Sequence, residues 1–420
     1  MATIKPIRAL RYTEKAGELS TCVCPPYDII SDKEYHDLLA ENPHNLIRLE
    51  LPKGGEDRYD VSGGFFKEWL AEGILARDEK PGIYLYKETF EVEGKTYSFD
   101  GLVCLVEVRP FSDRVVLPHE ETLSKAKDDR FRLMCATGCN FSSVYSLYRD
   151  KEGTVRDVIR ASEALPVLAE FTDGEGVTHT LRKIEDEATV ATVVDAFADK
   201  QLFIADGHHR YETALNFKNH LAANGNPNGW QADSMLMTLV DLEDDGLVVL
   251  PTHRLIRDME VNKDAFLQGA AEYFDITEYP NVAEANKVLD AYKDKHAYAL
   301  YTGGEGFTLL VGNDKADSLF VEGRSEAYAR LDVTVLHTLL LEGVLGIDKE
   351  NMAKQINLRY TRSQDEAVES VRSGESSAAF LLNATAIEEI RAVAEAGDKM
   401  PQKSTYFYPK LKTGLVMNQL

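Results

Sequence analysis

The sequence predicts an α/β protein of the α+β kind, with a mixed-sheet core and further α/β subdomains, and three observations carry that expectation. Short apolar runs of strand length alternate with segments of three-to-four-residue apolar spacing along the 420 residues. Two alternating segments flank Glu93-Gly94, which reads as a β-hairpin over residues 83–108. Between Leu202 and Leu221 an apolar strand, Leu202-Phe203-Ile204, runs through Gly207 into an amphipathic helix carrying Tyr211, Leu215, Phe217 and Leu221.

Taken in order, Asp32 to Leu39 has a helical pattern with Ser31 as its cap, and Asn45 to Leu51 alternates as a half-buried strand does. Tyr59 to Glu72 is a second helix, with Phe65, Phe66, Trp69 and Leu70. The hairpin follows, and its second strand ends at Arg109-Pro110. Residues 117–130 are strongly polar and read as a loop leading into a helix. A strand at 142–148, a helix at 155–161, a strand pair flanking Asp173-Gly174 and a helix at 188–197 come next. Met235–Asp241 and Leu247–Leu250 read as a hairpin around Glu243-Asp244-Asp245-Gly246, ending at Pro251-Thr252-His253-Arg254. Residues 262–312 read as helix, helix, strand, strand. Leu331–Leu345 is apolar and helical, Ala378–Leu382 a short buried strand, and Ala384–Glu395 a helix. These patterns divide the chain into an N-terminal α/β region (1–110), a core (111–258), a small α/β subdomain (259–325) and a C-terminal α/β region (326–420) that returns to the site.

Composition narrows the partners. With 70 Asp and Glu against 47 Lys and Arg, the formal charge is −23. Nucleic-acid binding draws on phosphate neutralisation, and no basic run supplies it. An acidic shell also repels anionic membranes, and no apolar run approaches the ~18 residues that span a bilayer. The first residues lack the apolar segment of a signal peptide, so the expectation is a cytoplasmic protein with small-molecule partners. The 5 cysteines are odd in number and irregularly spaced. Cys104 reads as a small core residue, and Cys22, Cys24, Cys135 and Cys139 form no zinc or disulfide framework.

Against that background, the cations gathered at Asp206-Gly207-His208-His209-Arg210 stand out. Gly207 tolerates a turn closed to other residues, and the first N–H groups of the following helix favour an anion. His208, His209 and Arg210 add donors at an end where cations are electrostatically misplaced unless an anion is bound. A second cluster is His119-Glu120-Glu121-Thr122 with Lys125, Lys127 and Arg130, where a carboxylate beside an imidazole suits a general base and the cations suit a phosphoryl group. Lys403-Ser404-Thr405 pairs a cation with two hydroxyls. A charged helix start and a surface turn are the plainer readings of these two, whereas a single phosphate site explains all three clusters at once. Asp28 and His253 are candidate pocket residues, with a capping Asp and a buried histidine as the alternatives.

The corner resembles the phosphate-binding motif of the ParB/sulfiredoxin-like superfamily, which includes free serine kinases with the same Asp-Gly-His-His-Arg type of signature. The whole chain resembles the uncharacterised DUF1015 family through Cys24-Pro25-Pro26-Tyr27-Asp28, Pro118-His119-Glu120-Glu121-Thr122, Asp206 to Ala214, Pro251-Thr252-His253-Arg254 and Lys403 to Lys410. These resemblances imply a ParB/sulfiredoxin-like catalytic core and a phosphotransferase acting on a small hydroxyl metabolite. Serine and phosphoserine are the favoured pair, in the kinase or the phosphatase direction. Glu120 maps to the base of the serine kinases, although the long stretch between it and Asp206 requires an insertion. His119, Asp206, His208 and His209 complete the catalytic set. Gly207, Arg210, Thr122, Lys125, Lys127, Arg130, Lys403, Ser404 and Thr405 are the phosphate- and nucleotide-binding candidates. ATP or ADP with Mg²⁺ is the implied cofactor, with Asp206 as the metal contact. No Walker-type loop or protein-kinase catalytic loop is present. Two alternatives stand beside this one: a ParB-type nucleotide-binding switch, and a metal-dependent hydrolase with ligands drawn from His119, His208, His209 and Asp206.

Overall fold

In the computed structural model, which describes residues 1–420, nine strands build one mixed sheet. They are β1 (Ile4–Lys5), β2 (Ile83–Val92), β3 (Lys95–Glu107), β4 (Val116–Leu117), β5 (Val144–Tyr148), β6 (Val167–Thr172), β7 (Thr178–Ile184), β8 (Leu202–Asp206) and β9 (Ser234–Asp241). Their spatial order is β4-β8-β5-β9-β3-β2-β7-β6, with β1 added on β3. The β4–β8 and β5–β9 pairs are parallel and the rest antiparallel. β5 and β9 are buried along their whole length because both faces of the sheet are covered there, which is why they read as apolar runs rather than alternations. The β2–β3 hairpin turns through Glu93 (φ 51°) and Gly94 (φ 76°), the two positive-φ residues of a tight hairpin loop.

The contacts gather the chain into two units, one of Met1–Pro118, Thr122–Val248 and Pro409–Leu420, the other of His119–Glu121 and Val249–Tyr408. The first holds the nine-stranded sheet with helices α1 (Asp32–Glu41), α2 (Arg58–Glu72), α3 (Ser124–Thr137), α4 (Thr154–Ser162), α5 (Glu187–Ala196) and α6 (His208–Asn224). Ser31 and Glu34 form a capping box at the start of α1. Cys104, Val106, Val144, Tyr148, Ile204, Tyr211 and Phe217 share the main core of this unit. A second cluster joins Phe66 and Trp69 of α2 to Cys22, Cys24, Leu46, Ile47, Leu49 and Met417. Residues 409–420 belong here: Thr413 exchanges backbone hydrogen bonds with Cys24, and Asn418–Gln419 pair with Cys139–Asn140. All five cysteines are free thiols.

The second unit has an antiparallel sheet of six strands, β10 (His253–Ile256), β11 (Phe274–Tyr279), β12 (Ala297–Tyr301), β13 (Phe307–Gly312), β14 (Leu358–Thr361) and β15 (Ala378–Leu382), ordered β11-β13-β12-β15-β10-β14. Both faces are covered. Tyr298, Leu300, Phe380 and Leu382 enter one apolar cluster, while Ala297, Ala299, Tyr301 and Leu381 enter another. Its helices include α7 (Lys263–Ala270), α8 (Gln364–Arg372) and α9 (Ile387–Ala396).

Four elements differ from the sequence expectation. Asn45–Leu51 is not a strand: Ile47–Glu50 is a short helix, because the Asn45 side chain bonds Thr21 O and Val23 O and accepts from the Ile47 amide, turning the chain and burying Leu46, Ile47 and Leu49 together. Leu247–Leu250 does not pair with β9, whose two edges are already taken by β5 and β3; the Leu250 N–H goes to Tyr406 O instead. Residues 262–312 run helix, strand, helix, strand, strand, since Phe274–Tyr279 pairs with β13 along its full length. Leu331–Leu345 is not one α-helix. After Asp332–Val335 it widens into a π-helical turn over Leu336–Glu342. No helix is long and apolar enough to cross a membrane.

Candidate functional site

The corner between β8 and α6 is built on Gly207, whose φ of 96° is left-handed. An added Cβ there would also lie 2.9 Å from the Arg210 guanidinium, so glycine is needed for conformation and for space. Tyr211 is the first residue of α6 whose amide finds an intrahelical acceptor, Gly207 O at 3.0 Å. The three amides before it carry the positive end of a 17-residue helix.

Asp206 stands under this end, held by two cations. Its Oδ2 accepts from Arg210 Nη2 at 2.6 Å and its Oδ1 from Lys410 Nζ at 2.5 Å, while Arg210 Nη1 donates to Ser143 O. Burial alone raises a carboxyl pKa, but Lys410 and Arg210 outweigh it and hold Asp206 well below the ordinary carboxylate range. One carboxylate against two cations leaves a positive surplus. A small cavity of about 10 Å³ opens against Asp206, Arg210 and Lys410, with Pro26, Ser143 and Tyr145 in its wall. His208 is buried. His209 accepts the Leu123 N–H at Nε2 (2.9 Å), anchoring the start of α3, and burial lowers its pKa towards the neutral form that this bond requires.

The cations of α3 are engaged within the same unit. Lys127 Nζ and Thr122 Oγ1 both donate to Glu212 of α6, at 2.6 and 2.8 Å. Arg130 is buried, donates to Glu50 O at 2.7 Å, pairs with Asp129 and lies over the Tyr27 ring at 4.0 Å. Burial raises the Glu50 carboxyl despite Arg130 and Arg210, and it pushes the Tyr27 phenol up to about 12. Arg210 also lines a second cavity of about 40 Å³ with Glu50, Arg130, Ser142 and Thr213. Lys125 and Asp28 are exposed, Asp28 close enough to His209 to favour its protonation.

The remaining candidates lie in the second unit. His119 Nε2 meets Thr405 Oγ1 at 3.1 Å, its carbonyl accepts the Met400 N–H, and half-buried Glu120 bridges to Met400. Ser404 Oγ donates to Pro401 O at 2.5 Å and Ser404 O accepts from Thr385 Oγ1 at 2.8 Å, so the serine and threonine hydroxyls hold this loop in shape. Lys403 has a left-handed φ of 58°, and its carbonyl accepts from Arg254 Nη2 at 3.1 Å. The fully buried Arg254 also donates to Thr252 O and faces the Tyr360 ring at 5.4 Å. His253 accepts the Leu382 N–H at Nδ1, and burial, then Arg254, pulls its pKa down to about 4.

The five quoted motifs therefore sort by unit: Pro26-Tyr27, Asp206–Arg210 and Lys410 in the first, His119, Thr252–Arg254 and Lys403–Thr405 in the second. A family model described as a protein of unknown function, DUF1015, matches residues 4–334. The chain belongs to the DUF1015 family. No protein with curated annotation matches it. Among solved structures, a free serine kinase in complex with AMP is similar at 15% identity over 74% of this chain and 92% of that one, with a TM-score of 0.35. A conserved hypothetical protein from Pyrococcus furiosus gives 16% identity, 74% and 95% coverage and a TM-score of 0.35. SbnI with a C-terminal truncation, from Staphylococcus aureus, gives 10%, 76%, 87% and 0.34.

A metal ion at Asp206 would stand beside Arg210 and Lys410, whose positive charges disfavour it there. No group of three or more His, Cys, Asp and Glu side chains in this DUF1015 member stands close enough to share an ion. Sequence reasoning missed Lys410, Tyr27, Glu50 and Glu212 as parts of the corner. Lys410 closes the Lys403–Lys410 motif and Glu212 sits inside the Asp206–Ala214 motif, so both were in view; only their partners were not.

Proposed function

We propose that this DUF1015 protein is a phosphotransferase that holds a phosphoryl group at the Gly207 corner and acts on a small hydroxyl metabolite, with serine and phosphoserine favoured by the Asp-Gly-His-His-Arg resemblance. The observation that carries this reading is the pair of cations beneath a helix N-terminus, Arg210 and Lys410 on the two oxygens of Asp206, at the edge of a small cavity. Phosphoryl transfer asks mainly for positioning and charge compensation, which is what such a corner offers. In this reading Asp206 orients Arg210 and Lys410, and its depressed pKa makes it a poor proton acceptor. The base is then Glu120, the residue that the serine-kinase resemblance maps to that role. ATP or ADP is the expected phosphate donor, and any Mg²⁺ comes with the nucleotide's own phosphates, since Arg210 and Lys410 already neutralise Asp206.

The test is calorimetric and kinetic. Arg210→Ala should weaken binding of inorganic phosphate and ADP by roughly 10–100-fold, the size of a charge-assisted hydrogen bond. Glu120→Gln should lower phosphoryl transfer from ATP to serine about 10²–10⁴-fold with little change in KM. Unchanged binding in the first variant removes the anion corner, and a normal rate in the second removes Glu120 as the base.

A further inference from the structure

The second unit contains an open cavity of about 190 Å³ that the phosphoryl chemistry does not use. Its apolar wall is made by Met352, Met400 and Pro401 with the ring of Tyr360. Small-molecule sites pair an apolar lining of this kind with a few placed polar groups.

The placed polar group is His337. It lines the cavity at 9% exposure, and its Nε2 is buried with no hydrogen-bond partner. A buried imidazole nitrogen left unpaired is costly, so this one awaits a ligand atom. Its element is unusual in the same direction. Over Leu336–Glu342 the backbone widens to a π-helical turn, in which the Gly343 N–H reaches Thr338 O and the Leu345 N–H reaches Leu340 O. Such turns give up regular helical bonding to re-aim side chains and recur at functional sites.

The charge of the ligand follows from Arg254. This guanidinium is fully buried, its hydrogen bonds go to the carbonyls of Thr252 and Lys403, and no carboxylate pairs with it. It faces Tyr360, a wall residue, and lies near enough to His337 to disfavour protonation there. Of the three lining cations, Arg324 pairs with Asp398 while Lys349 and Lys399 are matched in number by Glu121 and Glu342, so the buried arginine adds the further positive charge. An uncompensated charge in a low-dielectric interior favours a counter-ion over distances at which exposed charges are screened.

We propose that this cavity binds a small carboxylate with an apolar body, the body against Met352, Met400 and Tyr360 and a polar atom on His337 Nε2, in the field of Arg254. The site is separate from the phosphoryl corner, and its test reads His337 alone.

In the full-length chain labelled with ¹⁵N-histidine, the His337 imidazole signal is assigned by its loss in His337→Gln and followed during titration with 3-phenylpropionate, 3-phenylpropanol and inorganic phosphate. Phenylpropionate should shift that signal saturably and bind at least tenfold more tightly than phenylpropanol, and Met352→Trp, which fills the wall, should weaken it at least tenfold. The proposal is overturned if phenylpropionate leaves the His337 signal unmoved in the wild-type chain. Equal binding of phenylpropanol overturns the need for an anion, and an equal effect of phosphate overturns the need for an apolar body. Because the decisive titration uses the wild-type protein, a variant that fails to fold does not rescue the idea.

Discussion

Asp206 shows how one residue's role is set by its partners. As a lone carboxylate at a helix start it suggested a cap, a metal contact or a base, yet both oxygens accept from cations and the pKa is depressed. A carboxyl whose folded pKa lies below its unfolded value adds stability above the unfolded pKa of about 3.9, and loses it as pH falls through the folded value. Asp206→Asn should therefore lower the unfolding free energy by about 3 kcal/mol at neutral pH, the cost of breaking a buried pair. Urea titrations should find that deficit constant above pH 4 and shrinking below it. His253 has a consequence of the same sign in a higher pH window. Its folded pKa of about 4 lies below the unfolded value near 6.5, so acid protonates the unfolded chain first. Stability of the second unit should fall by about 1.4 kcal/mol for each pH unit between 6.5 and 4 on this account. His253→Gln keeps an acceptor for the Leu382 amide and should flatten the stability curve over that interval; an identical curve would assign the acid sensitivity elsewhere.

At the scale of elements, the β8–Gly207–α6 corner was readable because strand, glycine and helix are each local signals, and the observed φ of 96° meets the demand that glycine implied. Gly207→Ala forces a left-handed conformation on alanine and drives its Cβ into the Arg210 guanidinium. It should destabilise the protein by roughly 1–3 kcal/mol and weaken phosphate binding together, because Arg210 must move. Thermal melts and calorimetry on the same preparation check the pair. Ile47–Glu50 shows where local signals fail. Its alternation fits a strand, and the helix is imposed by an Asn45 side chain reaching Thr21 O and Val23 O, more than twenty residues away. The edge left empty in the expected 235–250 hairpin fails in the same way, since β9 finds both of its neighbours at long sequence separation.

At the scale of the molecule, the last twelve residues bind the first unit together. Lys410 meets Asp206, Lys412 meets Asp173, Gly414 N–H reaches Phe141 O, and Leu420 N–H reaches Gly138 O. Removing residues 409–420 takes one cation from each of those carboxylates and the donors from those carbonyls, and it uncovers Leu10 and Leu46 where Met417 and Gly414 pack. The truncated chain should bind a hydrophobic dye and be cut by protease in the first unit at concentrations that the full chain resists. Equal resistance would show that the segment is dispensable.

By itself the sequence determined the α/β class, the turn at Glu93-Gly94, the glycine corner and the five motifs, because periodicity, turn chemistry and residue type act over a few positions. Only the tertiary structure decided which groups meet. It gave Asp206 to Arg210 and Lys410, Lys127 to Glu212, Arg130 to Glu50 and Tyr27, and the Lys403 carbonyl to Arg254. Most of these partners are separated by tens to hundreds of residues, and a buried charge takes whichever partner the packed chain brings within reach, a choice that no local pattern records.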